Sequence, residues 1–406
     1  MKHHSVGHSG NDRRSPSPTL RSPDGPVGVV NLRALYQYCM SGHLVHLDLR
    51  LDPSVQGSAR EWDRTEGESR DPMGMARTPI PVGKLPVGLL TRLLGELGSM
   101  PGEVLLGPAV GEDACALDLP AGVLVVATDP ITLTGRDIGR HAVIVNANDV
   151  AVMGVRPRWF LATILVPPGS TAAGIEELFA GVRRALSEIG AALVGGHTEV
   201  TDAAARPIVV GQMLGLAENR RFVSTAGVRP DDVIVQVGAA PVEGAAVLAV
   251  EAASRLKGLD PAVTAAAVTG AEVPGISVVD AALDAARLGA TALHDPTEGG
   301  LAAGLHELAT AGGVRLRVDR ARLLWFEPGL AVCRALGADP WATLASGSLL
   351  AAFDPAHAVG AAEALAARGY AVAAIGTAEE GRGVDDTSNR AVPWPSRDEV
   401  SRLLAG

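Results

Sequence analysis

Apolar and polar positions follow helix-like and strand-like periods from about residue 78 to residue 380. Apolar residues recur at helical spacing over Leu85–Leu97, whereas Gly122–Thr128 is a continuous apolar run typical of a buried strand. The pattern predicts five more elements before residue 220: a helix over Gly139–Met153, a strand over Trp159–Val166, a helix over Thr171–Ile189, and strands over Ala192–Val194 and Ile208–Leu216. Together these elements form a first α/β half.

A second round of elements begins near Arg229. Its predicted strands are Val233–Val237, Val314–Val318, Leu349–Phe353 and Val372–Ile375. Its predicted helices are Glu243–Lys257, Ser277–Leu288, Gly299–Ala311 and Ala356–Arg368. The sequence therefore predicts an α/β (α+β) fold of two similar halves. We place the first domain at 78–220, the second at 221–381 and a C-terminal tail at 382–406.

Residues 1–77 differ in composition from the rest of the chain. They hold half of the ten histidines, together with Ser/Pro/Arg clusters such as the one that begins at Arg14. Such a composition cannot bury enough apolar surface to offset chain entropy. We therefore expect a mostly disordered leader, and the acidic excess of the chain lies in the remaining residues.

Composition narrows the class of protein. The net charge of −10 and the small number of aromatic residues (5 Phe, 5 Trp and 3 Tyr) argue against a nucleic-acid binder. The three cysteines, Cys39, Cys115 and Cys333, lie far apart and suit reduced thiols in a cytoplasm. Since no apolar run reaches the roughly 18 residues of a membrane span, we expect a soluble, cytoplasmic protein that binds neither nucleic acid nor membrane.

Acidic and glycine residues gather where predicted strands end. The five segments are Gly107–Asp118, Ala127–Pro130, Asn146–Gly154, Gly195–Glu199 and His294–Gly300. Each alone is explained as a turn, a helix residue or a strand exit. Five such segments together indicate a ligand site, because α/β sheets bind ligands at the carboxyl ends of their strands.

Carboxylates and glycines of this kind suit magnesium and phosphate. Asp113, Asp129 and Asp149 supply the hard oxygen ligands that Mg²⁺ takes, and glycines let backbone N–H groups approach phosphate oxygens. The phosphate-loop motif is absent, because Leu85 follows Gly83-Lys84 where Ser or Thr is needed. A nucleotide site in this chain must therefore neutralise phosphates through metal and backbone groups.

Several other residues keep two interpretations open. The loop Gly238–Gly244 follows a strand but lacks the dinucleotide-binding spacing, so a nicotinamide oxidoreductase is a weakly supported alternative. Cys115 fits a buried small hydrophobe better than a nucleophile. His197 and His294 each flank a glycine/acid segment and are either proton carriers or structural histidines.

The ordered set of motifs resembles a known superfamily. The segments VGEDACALD, ATDP, NANDVAVMG, GGHTEVT and HDPTEGGLAAGLHELA are similar to those of the AIR synthase (PurM-like) superfamily, and most similar to its hydrogenase-maturation HypE branch. The resemblance covers about residues 78–380. It implies an ATP- and Mg²⁺-binding homodimer, in which the N-terminal domains contribute to a shared β-barrel and the C-terminal domain is α/β.

The resemblance also assigns roles to residues. The metal ligands that it implies are Asp113, Asp129 and Asp149. The implied nucleotide-binding residues are Gly111, Asp113, Thr128, Asn148, Gly196, Thr198, Asp295, Gly299 and Gly300. The implied catalytic residues are Asp149 and His197.

Three departures from the resemblance limit the activity that it implies. The chain ends without the tail cysteine on which the hydrogenase-maturation enzyme works, and its last cysteine is Cys333. His197 stands where the thiamine-monophosphate kinase pattern has aspartate, and the reactive Cys/Sec–Lys pair of the selenophosphate enzyme has no counterpart. The expected function is ATP·Mg-dependent phosphorylation or activation of an oxygen of an unidentified small-molecule or protein acceptor. The alternatives are a nucleotide-binding regulatory or maturation scaffold without turnover and a thiamine-monophosphate kinase-like phosphotransferase.

Overall fold

The computed structural model describes residues 87–95, 102–132 and 137–404. The predictions for the leader, residues 1–77, lie outside the described residues. Among the described residues no single helix is long and apolar enough to cross a membrane; one pair bent by 46°, Pro261–Thr269 with Ala271–Arg287, meets the length and composition limits together.

The first half is a mixed sheet with helices against one face. Its elements are α1 (Val87–Gly95), β1 (Val104–Leu106), β2 (Cys115–Leu119), β3 (Gly122–Ile131), α2 (Ile138–Val152), β4 (Trp159–Val166), α3 (Ala172–Ile189), β5 (Ala192–Val200) and β6 (Ile208–Ala217). The strand order is β1-β2-β3-β6-β4-β5, with β4 and β5 parallel and the other neighbours antiparallel. Burial alternates strictly along β4, so one face of the sheet packs beneath the helices and the other does not.

The second half is a mixed sheet between helical layers. Its elements are β7 (Val233–Val237), α4 (Glu243–Glu251), α5 (Pro261–Thr269), α6 (Val279–Arg287), β8 (Ala292–His294), α7 (Gly300–Gly312), β9 (Arg315–Val318), α8 (Glu327–Leu336), β10 (Leu349–Phe353), α9 (Pro355–Ala366), β11 (Val372–Glu379), β12 (Gly383–Asp386) and α10 (Glu399–Leu404). The strand order is β12-β9-β11-β7-β10-β8, parallel only between β12 and β9. One core cluster joins residues of α2 in the first half to residues of α6 in the second. The two halves therefore share buried apolar surface.

The predicted two-part α/β architecture is confirmed, and three strands (β4, β7 and β10) have the predicted bounds. Four strands (β3, β5, β6 and β11) are longer than predicted, and two of these extensions include candidate site residues. The segment Asp129-Pro130 belongs to β3 instead of following it, and the segment Gly195–Glu199 lies within β5. Pro130 is tolerated because β3 beyond Val126 pairs with β6 alone, so the missing N–H faces the open side.

Candidate active site

A cluster of carboxylates surrounds one histidine where the two halves meet. Asp113 lies in the loop before β2, and His294 is the last residue of β8. The Nδ1 atom of His294 lies 2.8 Å from Oδ2 of Asp113, and its Nε2 atom lies 3.0 Å from Oε2 of Glu307 on α7. The imidazole is 3% exposed. One buried ring thus connects the first half to two elements of the second.

The charge state of His294 follows from these contacts. Burial by itself lowers the pKa of His294, but the charges and hydrogen bonds of Asp113 and Glu307 outweigh burial and hold the pKa well above its usual value of 6.5. Both ring nitrogens face carboxylate oxygens, which accept but do not donate. These contacts favour the imidazolium form of His294, in which both ring nitrogens donate to carboxylates.

Asp295 is a buried carboxylate without side-chain hydrogen bonds from the described residues. Asp295 is 2% exposed, and both of its side-chain oxygens are buried without a hydrogen-bond partner among the described residues. Burial and the nearby charges of Asp113 and Asp129 raise its pKa well above the usual range, whereas His294 opposes the shift. A buried carboxylate without partners is costly, so this position is arranged for a ligand or cation instead of for stability.

Asp129 is held by its backbone. The side-chain amide of Asn146 on α2 accepts from the N–H of Asp129 at 2.8 Å and donates to its carbonyl at 3.1 Å. We call this pair of hydrogen bonds the clamp on Asp129. The Asn146 amide lies directly against Gly211 of β6, where an added Cβ would be 2.3 Å from Nδ2 of Asn146. Asp129 faces the helices, whereas its neighbour Thr128 is exposed and donates to the carbonyl of Gly211 at 2.7 Å. Of this pair, Asp129 therefore lies on the same side as α2.

Two candidate residues lie within α2 and not in a loop. Asp149 is 7% exposed, one helical turn from Asn146. Asn148 is fully buried, donates to the carbonyl of Ile276 at 2.9 Å and accepts from the N–H of Val278 at 2.9 Å. The amide of Asn148 thus ties α2 to the segment that leads into α6.

The glycines of the fifth segment shape the start of α7. Gly299 has a φ of 85° and donates its N–H to Oδ2 of Asp398 at 2.7 Å. Gly300 lies so close to the backbone of Thr343 that a Cβ would come within 2.7 Å of its carbonyl oxygen. Gly111, with a φ of 89°, approaches the backbone of Glu307 in the same way, at 2.5 Å. These glycines allow close approach of backbone segments around the carboxylates.

The fourth segment lies elsewhere in the sheet. Gly196, His197 and Thr198 are exposed residues of β5, and His197 pairs only with Glu199, at 3.3 Å, among the described residues. Through the pairing of β5, β4, β6 and β3, Gly196 is level with Asp129 but three strands away. At the usual strand spacing this separation is about 14 Å.

A cavity of about 750 Å³ opens beside the carboxylates. It is lined by Asp113, His294, Glu307 and Glu298, by apolar residues of α1, and by Trp394 and Arg397 of the C-terminal segment. Its volume is in the range of small-molecule sites. The cavity can therefore hold a ligand next to Asp113.

The carboxylates of this site suit a cation whose remaining ligands are phosphate oxygens and water. Within the described ranges, no three His, Cys, Asp or Glu side chains converge closely enough to hold a metal ion by themselves. Magnesium is commonly held by one or two carboxylates together with phosphate oxygens and water. The unpartnered oxygens of Asp295, beside Asp113 and Asp129, match that mode of binding.

Comparison with known proteins gives the family. Residues 111–217 match the AIR synthase related protein N-terminal domain, and residues 229–387 match the corresponding C-terminal domain. This chain belongs to the AIR synthase-related family. The match confirms the family resemblance and covers both halves around the carboxylates.

Similar members of the family are hydrogenase-maturation proteins and kinases. Carbamoyl dehydratase HypE from Azotobacter vinelandii is 29% identical over 306 residues, which cover 72% of this chain and 87% of that protein. Thiamine-monophosphate kinase from Mycobacterium tuberculosis (strain CDC 1551 / Oshkosh) is 30% identical over 258 residues, covering 61% and 73%.

Solved structures have the same fold. A HypE–HypF complex aligns with a TM-score of 0.63 at 21% identity, covering 76% of this chain and 99% of that one. HypE in complex with ATP aligns with a TM-score of 0.58 at 25% identity, covering 73% and 92%.

Sequence reasoning missed four residues of this AIR synthase-related site. Asn146 and Glu307 lie inside segments that the sequence analysis singled out, but it gave neither residue a role. Asp398 lies in the segment predicted to be a C-terminal tail. Glu112 accepts from the hydroxyl of Ser224 at 2.7 Å, while burial raises its pKa despite that bond. The available signals were a carboxylate beside Asp113 and a carboxylate two turns into α7. Neither spacing shows the contact that the fold makes, which joins Glu112 to Ser224, 112 positions away, and Glu307 to His294, 13 positions away.

Proposed function

We propose that this protein is an ATP-dependent enzyme that phosphorylates, and thereby activates, an oxygen atom of a small-molecule or protein-borne acceptor. The observation that carries the proposal is Asp295, whose two oxygens are buried and unpartnered beside Asp113 and Asp129. Carboxylates from both halves thus lie close enough for their charges to interact. The ATP complex of the similar HypE supports a nucleotide as the ligand.

Asp113, Asp129, Asp149 and Asp295 would hold magnesium together with the nucleotide phosphates. The ion, when bound, neutralises charge on the phosphate oxygens, a task that lysine performs in other nucleotide sites. Lys84 and Lys257 are the only lysines after residue 77, so neutralisation of the phosphates by a metal ion instead of by lysine agrees with the composition.

The chain's own residues position the reactants. The acceptor oxygen forms a bond to the terminal phosphorus as the bond from that phosphorus to the bridging oxygen breaks, and ADP leaves. The cavity beside Asp113 orients the acceptor and limits the access of water. Gly299 and Gly300 let α7 begin close to Asp398 and Thr343, and Gly299 borders the cavity. His197, three strands from Asp129, has no role in this scheme.

We infer that the enzyme is a homodimer. The face of the first sheet that turns away from α2 and α3 carries half-buried apolar side chains: Leu124, Val126, Leu161, Val210 and Leu214. A solvated sheet face is normally polar, so an apolar face calls for a partner. Pairing of two such faces agrees with the shared β-barrel that the family resemblance implies.

We place the enzyme in the cytoplasm. Cys115 and Cys333 are both free thiols, and burial raises the pKa of Cys333 to about 11. Unpaired cysteines support a reducing compartment.

The Asp295→Asn substitution tests the proposal. We expect ATP plus Mg²⁺ to raise the thermal unfolding midpoint of the wild type, and ATP alone to raise it much less. Asp295→Asn should lose the magnesium-dependent rise. Without ligand its midpoint should equal or exceed that of the wild type, because a buried unpartnered carboxylate has been removed.

The control is Asp284→Asn, which alters a carboxylate paired with Arg287 and Arg368 away from the cavity. It should keep the magnesium-dependent rise.

ADP release with candidate acceptors then separates an enzyme from a scaffold: Asp149→Asn should abolish release while the protein stays folded. Binding of ATP·Mg without ADP release for any acceptor would contradict an enzymatic role, and absence of binding would contradict the proposal as a whole.

A further inference from the structure

His294 occupies a junction of three elements. It ends β8, contacts Asp113 in the loop before β2 and contacts Glu307 in the middle of α7. The contact to Asp113 spans 181 positions in the sequence and the contact to Glu307 spans 13. The ring is 3% exposed, so water does not replace either carboxylate.

The hydrogen bonds that the Asp113 side chain accepts from the described residues are all on one of its two oxygens. Oδ2 receives the Nδ1–H of His294 at 2.8 Å and the hydroxyl of Thr225 at 3.3 Å. No hydrogen bond from the described residues reaches Oδ1, although the side chain is only 14% exposed. The carboxylate is therefore fixed through Oδ2, and the residue itself lines the cavity.

We propose that His294, held in place by Glu307, is a positioning residue that fixes the Asp113 carboxylate through Oδ2 so that Oδ1 is presented to the cation bound with ATP. The inference rests on the proposed function. Neither His294 nor Glu307 contacts the nucleotide in this scheme; each acts through Asp113. Partners of this kind, one step removed from a metal ligand, typically change metal affinity by about 10- to 100-fold.

Packing alone does not provide this orientation. The loop is positioned by Gly111, whose backbone approaches that of Glu307 so closely that a Cβ would lie 2.5 Å from the carbonyl oxygen. That contact fixes the main chain near Asp113 but leaves its side-chain rotamer open. The hydrogen bond from His294 to Oδ2, at 2.8 Å, supplies the side-chain restraint that the backbone contact lacks.

The test measures Mn²⁺ binding in the presence of ATP, from the disappearance of the electron paramagnetic resonance signal of free Mn²⁺. The mild variant is Glu307→Gln, which keeps an oxygen to accept from Nε2–H but removes the charge. We expect a dissociation constant for Mn²⁺ about 10-fold higher than that of the wild type. His294→Gln should raise it at least as much.

A double-mutant cycle with Asp113→Asn distinguishes positioning from general destabilisation. If Glu307 acts through Asp113, Glu307→Gln in the Asp113→Asn background should change the dissociation constant by less than about 2-fold. Glu307→Asp, which restores the charge, should recover part of the affinity. Asp284→Asn, a buried ion-paired carboxylate elsewhere, should lower the unfolding midpoint and leave Mn²⁺ binding unchanged.

The outcomes separate this inference from the proposed function. Wild-type binding that Asp113→Asn weakens but that Glu307→Gln and His294→Gln leave unchanged overturns the positioning role alone. Equal effects of Glu307→Gln in both backgrounds overturn it as well. Failure of the wild type to bind Mn²⁺ with ATP overturns the proposed function and the inference together.

Discussion

At the scale of single residues, Asp398 connects two helices with one carboxylate. Its Oδ2 accepts from the N–H of Gly299 at the start of α7, and its Oδ1 accepts from the N–H of Val400 at the start of α10, each at 2.7 Å. These bonds favour the charged form, but Asp398 is only 3% exposed, and burial raises its pKa from 3.8 to about 7. The C-terminal segment, which lines the cavity, is therefore attached through a group that titrates near neutral pH.

The stability of the fold should depend on the ionisation of Asp398. Because folded Asp398 binds its proton more tightly than the unfolded chain does, its contribution to stability is largest below its ordinary pKa of 3.8 and falls as the pH rises to about 7. Asp398→Asn removes this titration. We expect the free energy of unfolding of the wild type, relative to Asp398→Asn, to decrease by up to about 4 kcal/mol across that range.

Urea unfolding at several pH values from about 4 to 8 measures the effect. The difference between the two proteins should level off above pH 7. Parallel stability profiles for the wild type and Asp398→Asn would contradict the assignment.

At the scale of elements, α2 connects the first sheet to the second half. Asn146 clamps the backbone of Asp129 on β3, and Asn148 binds Ile276 and Val278 before α6. Both amides are fully buried, and each bonds to backbone groups on both its oxygen and its nitrogen. Helix α2, which carries Asp149, is thus fixed relative to Asp129. This supports the proposal that Asp149 and Asp129 belong to one site.

Gly211→Ala should disturb this arrangement. The new methyl group would lie 2.3 Å from Nδ2 of Asn146 and 2.8 Å from the ring of Phe160, so the clamp on Asp129 must move. We expect a loss of about 1–3 kcal/mol in the free energy of unfolding and weaker Mn²⁺·ATP binding. Gly195→Ala is the matched control, because on β5 the same methyl group meets Leu161 at an ordinary 3.5 Å. Equal stability and binding for the two variants would show that the clamp is not sensitive to Gly211.

At the scale of the whole molecule, the first sheet has one covered and one uncovered face. Leu214 lies on the uncovered face in register with Trp159 and Val126, and all three side chains are half-buried. Nothing among the described residues packs over this face as α2 and α3 pack over the other. A second copy of the chain would complete the covering.

Leu214→Glu should therefore convert the dimer into a monomer. The control is Val359→Glu, because Val359 on α9 is 69% exposed and lies in the second half. Light scattering after size-exclusion chromatography should give a dimer mass for the wild type and Val359→Glu and a monomer mass for Leu214→Glu. A monomeric wild type, or a dimeric Leu214→Glu, would contradict the proposed interface.

The sequence by itself determined the kind of fold and singled out most carboxylates of the candidate site. Continuous apolar runs such as Trp159–Val166 are local signals, so their strands were predicted with the observed bounds. The acid and glycine segments identified Asp113, Asp129 and Asp295 without any knowledge of their positions in space. Their order along the chain also identified the family.

Only the tertiary structure decided which of these residues meet. The Asp129-Pro130 and Gly195–Glu199 segments were predicted to leave their strands, but pairing with β6 and β4 extends both strands, and His197 lies far from Asp129. The contact between His294 and Asp113 joins positions 181 residues apart, and local periodicity carries no information about such a pair. The sequence predicted a ligand site at the acidic segments. The packing of the two halves around one buried histidine determines which carboxylate oxygens are hydrogen-bonded within the described residues and which are not.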